Sequence, residues 1–172
     1  MKKNMIIIAA RGIGDLIYHL PLLRSLYESY NEKLIIISNK VNHSKEIYKY
    51  ETFYEKIIYF DNTRFSPLKT LKTIINLKNL INQFNVDQLI LTGSPRRLMI
   101  PVYLSKVKKK IIFGGGKLLF NKDKQYQHLT YSEKIMKYTE KLDLPIKNKD
   151  FLLKTENIKK FESTKYKKNI FI

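Results

Sequence analysis

Cysteine is missing altogether from the 172 residues, which excludes disulfides, thiolate nucleophiles and cysteine-based metal sites. Nothing therefore marks the chain for an oxidising compartment. Arginine is scarce, with Arg11, Arg24, Arg64, Arg96 and Arg97 the only ones among 33 basic residues. Acidic residues are few as well, 15 in all, so the formal net charge is +18. Long hydrophobic runs are lacking: Lys2 and Lys3 precede a short apolar stretch from Met5 to Ala10, which Arg11 ends. That stretch is too short for a signal-peptide core or a membrane span and reads as a first buried strand. A cytoplasmic location follows as the simplest expectation, with peripheral attachment to the inner face of the cytoplasmic membrane as an extension of it. The length suits one domain with a real core, not two complete α/β units.

The net charge invites a nucleic-acid reading, because clustered basic side chains release counterions from phosphate backbones. No recognition motif accompanies it, and the excess is nearly all lysine, the composition of a generic solvated surface. Anionic lipid headgroups are the better-matched partner, since each basic residue near a charged leaflet contributes about 1 kcal/mol.

Read for period, short apolar runs alternate with helical patterns. The runs are Met5 to Ala9, Leu34 to Ile37, Ile57 to Phe60, Leu89 to Leu91, Ile111 to Phe113 and Ile170 to Ile172. Most are rich in β-branched residues and too short for buried helices, which predicts strands. Leu68, Leu71, Ile74, Leu77, Ile81 and Phe84 recur at helical spacing, as do Tyr131, Ile135, Tyr138 and Leu142, and Leu16, Leu20, Leu23 and Tyr27. Such alternation predicts an α/β fold, a Rossmann-like doubly wound and mainly parallel sheet with its ligands at the carboxyl ends of the strands. Residues 1–142 are expected to form this domain. The lysine-rich stretch 143–168 reads as an interdomain connection, and 169–172 as the first strand of a further domain.

The most informative loop is Arg11-Gly12-Ile13-Gly14-Asp15, between the first strand and the first helix. Two glycines permit close backbone approach, and a helix amino terminus presents unpaired N–H groups to an anion. The dinucleotide fingerprint is not met: Ile17 stands at the third glycine position, and no acidic residue ends the second strand near Ser38. Gly114 to Gly116 is followed by Lys117-Leu118 where a P-loop carries Lys-Ser or Lys-Thr, so it reads as a turn. Tyr48, Tyr50, Phe53 and Tyr54 form either a sugar-stacking surface or, the preferred reading, plain core. Pro21, inside an apolar helical pattern, marks a kink.

A buried strand leading to Gly14-Asp15 and then Pro21-Leu22-Leu23-Arg24 resembles the opening of glycosyltransferase family 9, the heptosyltransferase-like family. The resemblance runs on through Asp87 to Leu91, Arg96 or Arg97 in the following loop, and Ile112-Phe113-Gly114. It closes with His128 ahead of the helix Tyr131 to Leu142 and with the strand at Ile170. It implies an inverting enzyme of GT-B architecture, of which this chain is the amino-terminal, acceptor-side domain, inactive without the carboxy-terminal donor domain. It also implies that Asp15 is the general base, that a core oligosaccharide or anionic glycolipid of lipopolysaccharide type is the acceptor, and that the missing domain holds a nucleotide-sugar donor. No metal and no cofactor are implied.

Each implied residue also has a structural explanation. Asp15 is placed to cap the first helix, where a carboxylate meets orphan N–H groups and the helix dipole. Arg11, Arg64, Arg96 and Arg97 suit forked contacts to an anionic acceptor, three of them in loops after strands, or are ordinary solvated charges. Gly14 is expected to let the acceptor approach the backbone. His128 either touches the acceptor or caps a helix. Ser132 and Lys134 stand where the family often carries arginine, so the acceptor's identity does not carry over. The alternative from another class is a non-catalytic basic module that binds an anionic glycolipid or nucleic acid.

Overall fold

The computed structural model describes residues 3–9, 12–60, 67–92, 96–113, 129–144 and 151–152. In chain order these form β1 (Asn4–Ile8), α1 (Ile13–Tyr18), α2 (Leu20–Tyr30), β2 (Leu34–Asn39), a 3-10 turn (Lys40–Asn42), α3 (Ser44–Ile47) and β3 (Tyr54–Phe60). There follow α4 (Pro67–Gln83), β4 (Gln88–Thr92), α5 (Arg96–Leu104), β5 (Lys109–Ile112) and α6 (Tyr131–Lys141). The five strands make one sheet in the order β3-β2-β1-β4-β5, and every neighbouring pair is parallel. The Rossmann-like parallel architecture expected from the alternating pattern is the one observed.

β1 shows why so short a run suffices. It lies at the centre of the sheet, paired with β2 on one side and β4 on the other, and all five of its residues are buried. Ile6 and Ile8 point to one face and Met5 and Ile7 to the other, the period-2 alternation of a strand. On the first face they meet Leu16, Leu20, Leu23 and Leu26 of α1 and α2 and Ile135 and Tyr138 of α6. On the second they meet Leu77 and Ile81 of α4 and Leu98, Met99 and Val102 of α5. Each fully buried side chain of this size contributes roughly 1.5–3 kcal/mol, so a layer of helices on each face is what five short strands require.

Of the four aromatic residues expected in the core, Tyr48 and Phe53 are buried and Tyr54 packs half-buried against the same cluster, whereas Tyr50 lies outside it, its hydroxyl accepting from Lys49 at the surface. Tyr48 and Phe53 are buried edge to face, 5.3 Å between centroids, and the Tyr48 hydroxyl donates to the Leu16 carbonyl at 2.7 Å. Phe113 stacks on Tyr138 at 4.2 Å. Arg24 and Glu51 form a buried ion pair, Nη2 to Oε1 2.7 Å and Nε to Oε2 3.4 Å. Nη2 of Arg24 also donates to the Leu152 carbonyl at 2.6 Å.

Two helices were not anticipated. α3 is a single turn, and α5 begins with Arg96 and Arg97, expected in a loop; its nine residues include Pro101, and residues 93–95 before it are Gly-Ser-Pro. These breakers mask a real apolar period, Leu98, Met99 and Val102, which faces the sheet. Of the stretch read as an interdomain connection, Leu144 joins the core and Phe151 meets Tyr18 edge-on at 5.9 Å. Residues 145–150 and 153–172, including the run at Ile170, lie outside the described residues.

Candidate functional site

From β1 the chain winds outward to β2 and β3, and then crosses back to β4 and β5 on the other side. The order therefore reverses between β1 and β4. In an open parallel sheet the crevice beyond the carboxyl ends of two such strands is where ligands bind, because the flanking connections diverge there. Ile8 and Thr92, paired across this seam, mark its floor.

Gly12, in ordinary extended conformation at φ −87° and ψ 149°, is the N-cap of α1. Asp15 sits three residues on, and its Oδ2 accepts a hydrogen bond from the Gly12 N–H at 3.2 Å. The carboxylate thus caps the helix start and places negative charge at the positive end of the dipole. A methyl group built on Gly12 would approach Asp15 Oδ2 at 3.3 Å, whereas one on Gly14 would meet nothing within 4 Å. Gly14 is exposed, and its backbone faces open space.

The helix breaks at His19. Pro21, near the start of α2, lacks the N–H that a continuous helix would donate to the Ile17 carbonyl. At the break the fully buried imidazole turns toward the sheet. Its Nδ1 lies 2.6 Å from the Asp15 carbonyl oxygen and its Nε2 2.8 Å from Thr92 Oγ1. A carbonyl only accepts, so Nδ1 carries the proton and Nε2 accepts from the threonine hydroxyl. Burial lowers the pKa from 6.5 to about 4, opposed by the Asp15 carbonyl bond and the Asp15 charge, so the ring is neutral near pH 7. His19 thereby fastens the turn that carries Asp15 to the last residue of β4.

α6 supplies the remaining wall. Thr130 and Glu133 form a capping box at its start, with Thr130 N–H donating to Glu133 Oε2 at 2.7 Å and Glu133 N–H to Thr130 Oγ1 at 3.4 Å. This fixes Tyr131, whose ring centroid lies 5.7 Å from that of His19 and 6.0 Å from that of Tyr18. Its hydroxyl is buried and has no hydrogen-bond partner among the described residues. Burial first, and then the Asp15 and Tyr138 side chains, raise its pKa, so it is a neutral donor.

Of the residues singled out from sequence, the structure brings Gly14 and Asp15 together at the seam. Arg11, Arg64 and His128 lie outside the described residues. Arg96 and Arg97 are the first two residues of helix α5, not loop residues as expected, because the helix starts directly after Pro95. Sequence reading missed His19, Thr92 and the Tyr131 hydroxyl. The one available signal was a histidine lodged in an apolar helical stretch beside Pro21. Among the described residues no cluster of three or more histidine and carboxylate groups is suited to a metal ion.

No family model and no curated protein matches the sequence. Solved structures do match in fold. A glycosyl transferase family 9 structure from Veillonella parvula DSM 2008 aligns with TM-score 0.63 at 12% identity, over 83% of this chain and 42% of that one. The E. coli heptosyltransferase WaaC with ADP-2-deoxy-2-fluoro heptose aligns with TM-score 0.57 at 15% identity, over 86% of this chain and 51% of that one. The same enzyme with ADP aligns with TM-score 0.54 at 13% identity, over 83% and 48% of the two chains. The fold is thus a Rossmann-like α/β domain similar to those of GT-B glycosyltransferases. More particularly, it is similar to glycosyltransferase family 9 structures, a heptosyltransferase among them, and the chain spans about half their length.

Proposed function

We propose that this chain is the acceptor-side part of an inverting glycosyltransferase of heptosyltransferase type. The observation that carries the reading is the position of Asp15: a carboxylate in the first turn after the central strand, at the seam where the order of the sheet reverses. In this reading the Asp15 carboxylate accepts the proton of an acceptor hydroxyl as that oxygen attacks the anomeric carbon of an activated sugar. The bond to the nucleotide breaks, and the nucleotide leaves with the electron pair. The remainder of the enzyme holds the nucleotide sugar, so both reactants meet only when the two parts face each other.

The chain's own residues supply orientation. His19 holds the Asp15 backbone against Thr92, and the Gly12 N–H holds Oδ2. Gly14 leaves room for a sugar ring to approach the backbone. The acceptor is proposed to be a phosphorylated or carboxylated core sugar, met by arginines such as Arg96 and Arg97 at the start of α5.

Two measurements test this. The chain alone, titrated in a calorimeter with a phosphorylated core oligosaccharide and separately with nucleotide sugars, is expected to bind the first weakly and salt-dependently and the second not comparably. In the full-length enzyme Asp15→Asn is expected to lower turnover by about 10²-fold or more, with acceptor affinity little changed. Near-normal turnover in that variant would return Asp15 to the role of a helix cap. Tight nucleotide-sugar binding without acceptor binding would assign the chain to the donor side.

A further inference from the structure

Among the described residues the most exposed aromatic side chain is Tyr18, at 39%. It stands on α1 three residues after Asp15, so the two side chains share one face of the helix, about 4.5 Å apart along its axis. A single apolar side chain in water needs no explanation, but Tyr18 is part of a connected series of rings. Its centroid lies 5.9 Å from that of Phe151, edge-on at 84°, and 6.0 Å from that of Tyr131. Tyr131 in turn lies 5.7 Å from His19, the buried imidazole that fastens the Asp15 turn.

The rings that flank Tyr18 are held by independent means. Tyr131 follows directly on the N-cap of the Thr130–Glu133 capping box. Phe151 precedes Leu152, whose carbonyl accepts from Arg24 Nη2 at 2.6 Å, and Arg24 is itself locked to Glu51. Ring pairs at these separations attract through their quadrupoles, which orients Tyr18 without burying it. A ring already held in place asks little further ordering entropy of the ligand that lands on it. On the same helix face, Asp15 is half-buried; Oδ2 accepts from the Gly12 N–H, and Oδ1 has no hydrogen-bond partner among the described residues.

We infer that Tyr18 is the platform on which the acceptor's sugar ring lies, presenting one of its hydroxyls to Asp15. The inference rests on the acceptor-side reading above and adds to it the residue that selects for a ring. A pyranose groups C–H bonds on one face and carries hydroxyls around its rim. The partly positive C–H hydrogens suit the negative face of an aromatic ring, while a rim hydroxyl is left to donate to the carboxylate. An aromatic wall beside a few placed polar groups is how small-ligand sites combine affinity with orientation. A nucleotide base also stacks on aromatic rings, but the diphosphate attached to it would be brought toward the Asp15 charge, which disfavours it here.

Two measurements on the intact chain test the assignment. The chain contains no tryptophan, so Tyr18→Trp places a single fluorophore on the platform and keeps an aromatic face. Its emission is expected to shift on titration with a phosphorylated core oligosaccharide and not with inorganic phosphate. In calorimetry with the same oligosaccharide, Tyr18→Leu is expected to bind about tenfold more weakly than the parent chain, and Tyr18→Phe within about twofold of it. Leucine keeps apolar contact with the neighbouring rings, and circular dichroism melts check that the variants are folded. Tyr50→Ala, at the surface ahead of β3, is expected to bind as the parent does. Parent-like affinity in a folded Tyr18→Leu variant would overturn the inference and leave the acceptor-side reading standing. Unchanged emission from Tyr18→Trp at saturating oligosaccharide would overturn it too, however Tyr18→Leu folds. A parent chain that binds no oligosaccharide would overturn both readings, and emission that answers to a nucleotide sugar alone would give the ring to the donor's base.

Discussion

His19 and Thr92, 73 residues apart in sequence, meet through a 2.8 Å hydrogen bond that ties the break between α1 and α2 to the last residue of β4. The same ring holds the Asp15 carbonyl at 2.6 Å. The position of the Asp15 turn over the sheet therefore depends on an imidazole that must remain neutral.

That requirement gives the protein a pH dependence with a definite sign. The folded pKa, about 4, lies below the ordinary 6.5, so between these values the unfolded chain binds the proton and the folded chain does not. Stability from this group is complete above pH 6.5 and is lost as pH falls toward 4, by an amount on the order of 3 kcal/mol. Denaturant melts across this window are expected to show the loss. His19→Gln should remove this component of the pH dependence and cost roughly 1–3 kcal/mol at pH 7. An unchanged pH profile in the variant would show that His19 is not the titrating group.

Arg24 and Glu51 predict a different asymmetry. Both side chains are nearly inaccessible, 10% and 1% exposed, so removing one partner takes a close counter-charge from a buried group. Arg24→Met alone is expected to destabilise by roughly 3–5 kcal/mol, while Arg24→Met with Glu51→Leu should recover much of that loss. The recovery is read from a double-mutant cycle of urea midpoints. Loss of the Leu152 contact remains in both variants, so recovery is expected to be incomplete.

Gly14 separates folding from ligand binding. The site has room for a methyl group within the chain, and alanine favours a helix over glycine by up to about 1 kcal/mol. Gly14→Ala is expected to raise the melting temperature slightly and to weaken acceptor binding. If calorimetric affinity for the core oligosaccharide stayed constant, the open space over Gly14 would have no part in binding.

Tyr131→Phe is expected to leave stability unchanged or to raise it, because the deleted hydroxyl is buried without a partner among the described residues and such a group costs about 1–3 kcal/mol. If that hydroxyl serves the acceptor, the same variant binds the core sugar more weakly at unchanged fold. A clear loss of stability would instead reveal a structural hydrogen bond.

The strands were legible because a buried parallel strand is a plain run of apolar residues, and Met5 to Ala9 and Leu89 to Leu91 fall almost on β1 and β4. Pro21 marked the helix break for a local steric reason. α5 was not legible, because Pro101 and the Gly-Ser-Pro before it outweigh three apolar positions when only neighbours in sequence are weighed. Arg96 and Arg97 are expected in the loop after the fourth strand from the resemblance, and the structure places them in the first turn of α5 instead. The Asp15 turn was found through its residues, but its anchoring was not. Thr92 looks like any strand-end threonine until β4 is set beside β1, and the Tyr131 hydroxyl looks like part of a helix face until His19 and Asp15 stand near it.

The central place of β1 also orders events during synthesis. Its first neighbour, β2, begins at Leu34, but the other, β4, is complete only at Thr92; the Lys3–Asp87 bond that seals their far end spans 84 residues. At a translation rate of about 5–20 residues per second, Met5 to Ile8 leave the ribosome several seconds before both flanks exist. Through that interval this wholly buried apolar strand is half covered at best, and chaperone engagement should peak before residue 92 emerges and fall steeply after it.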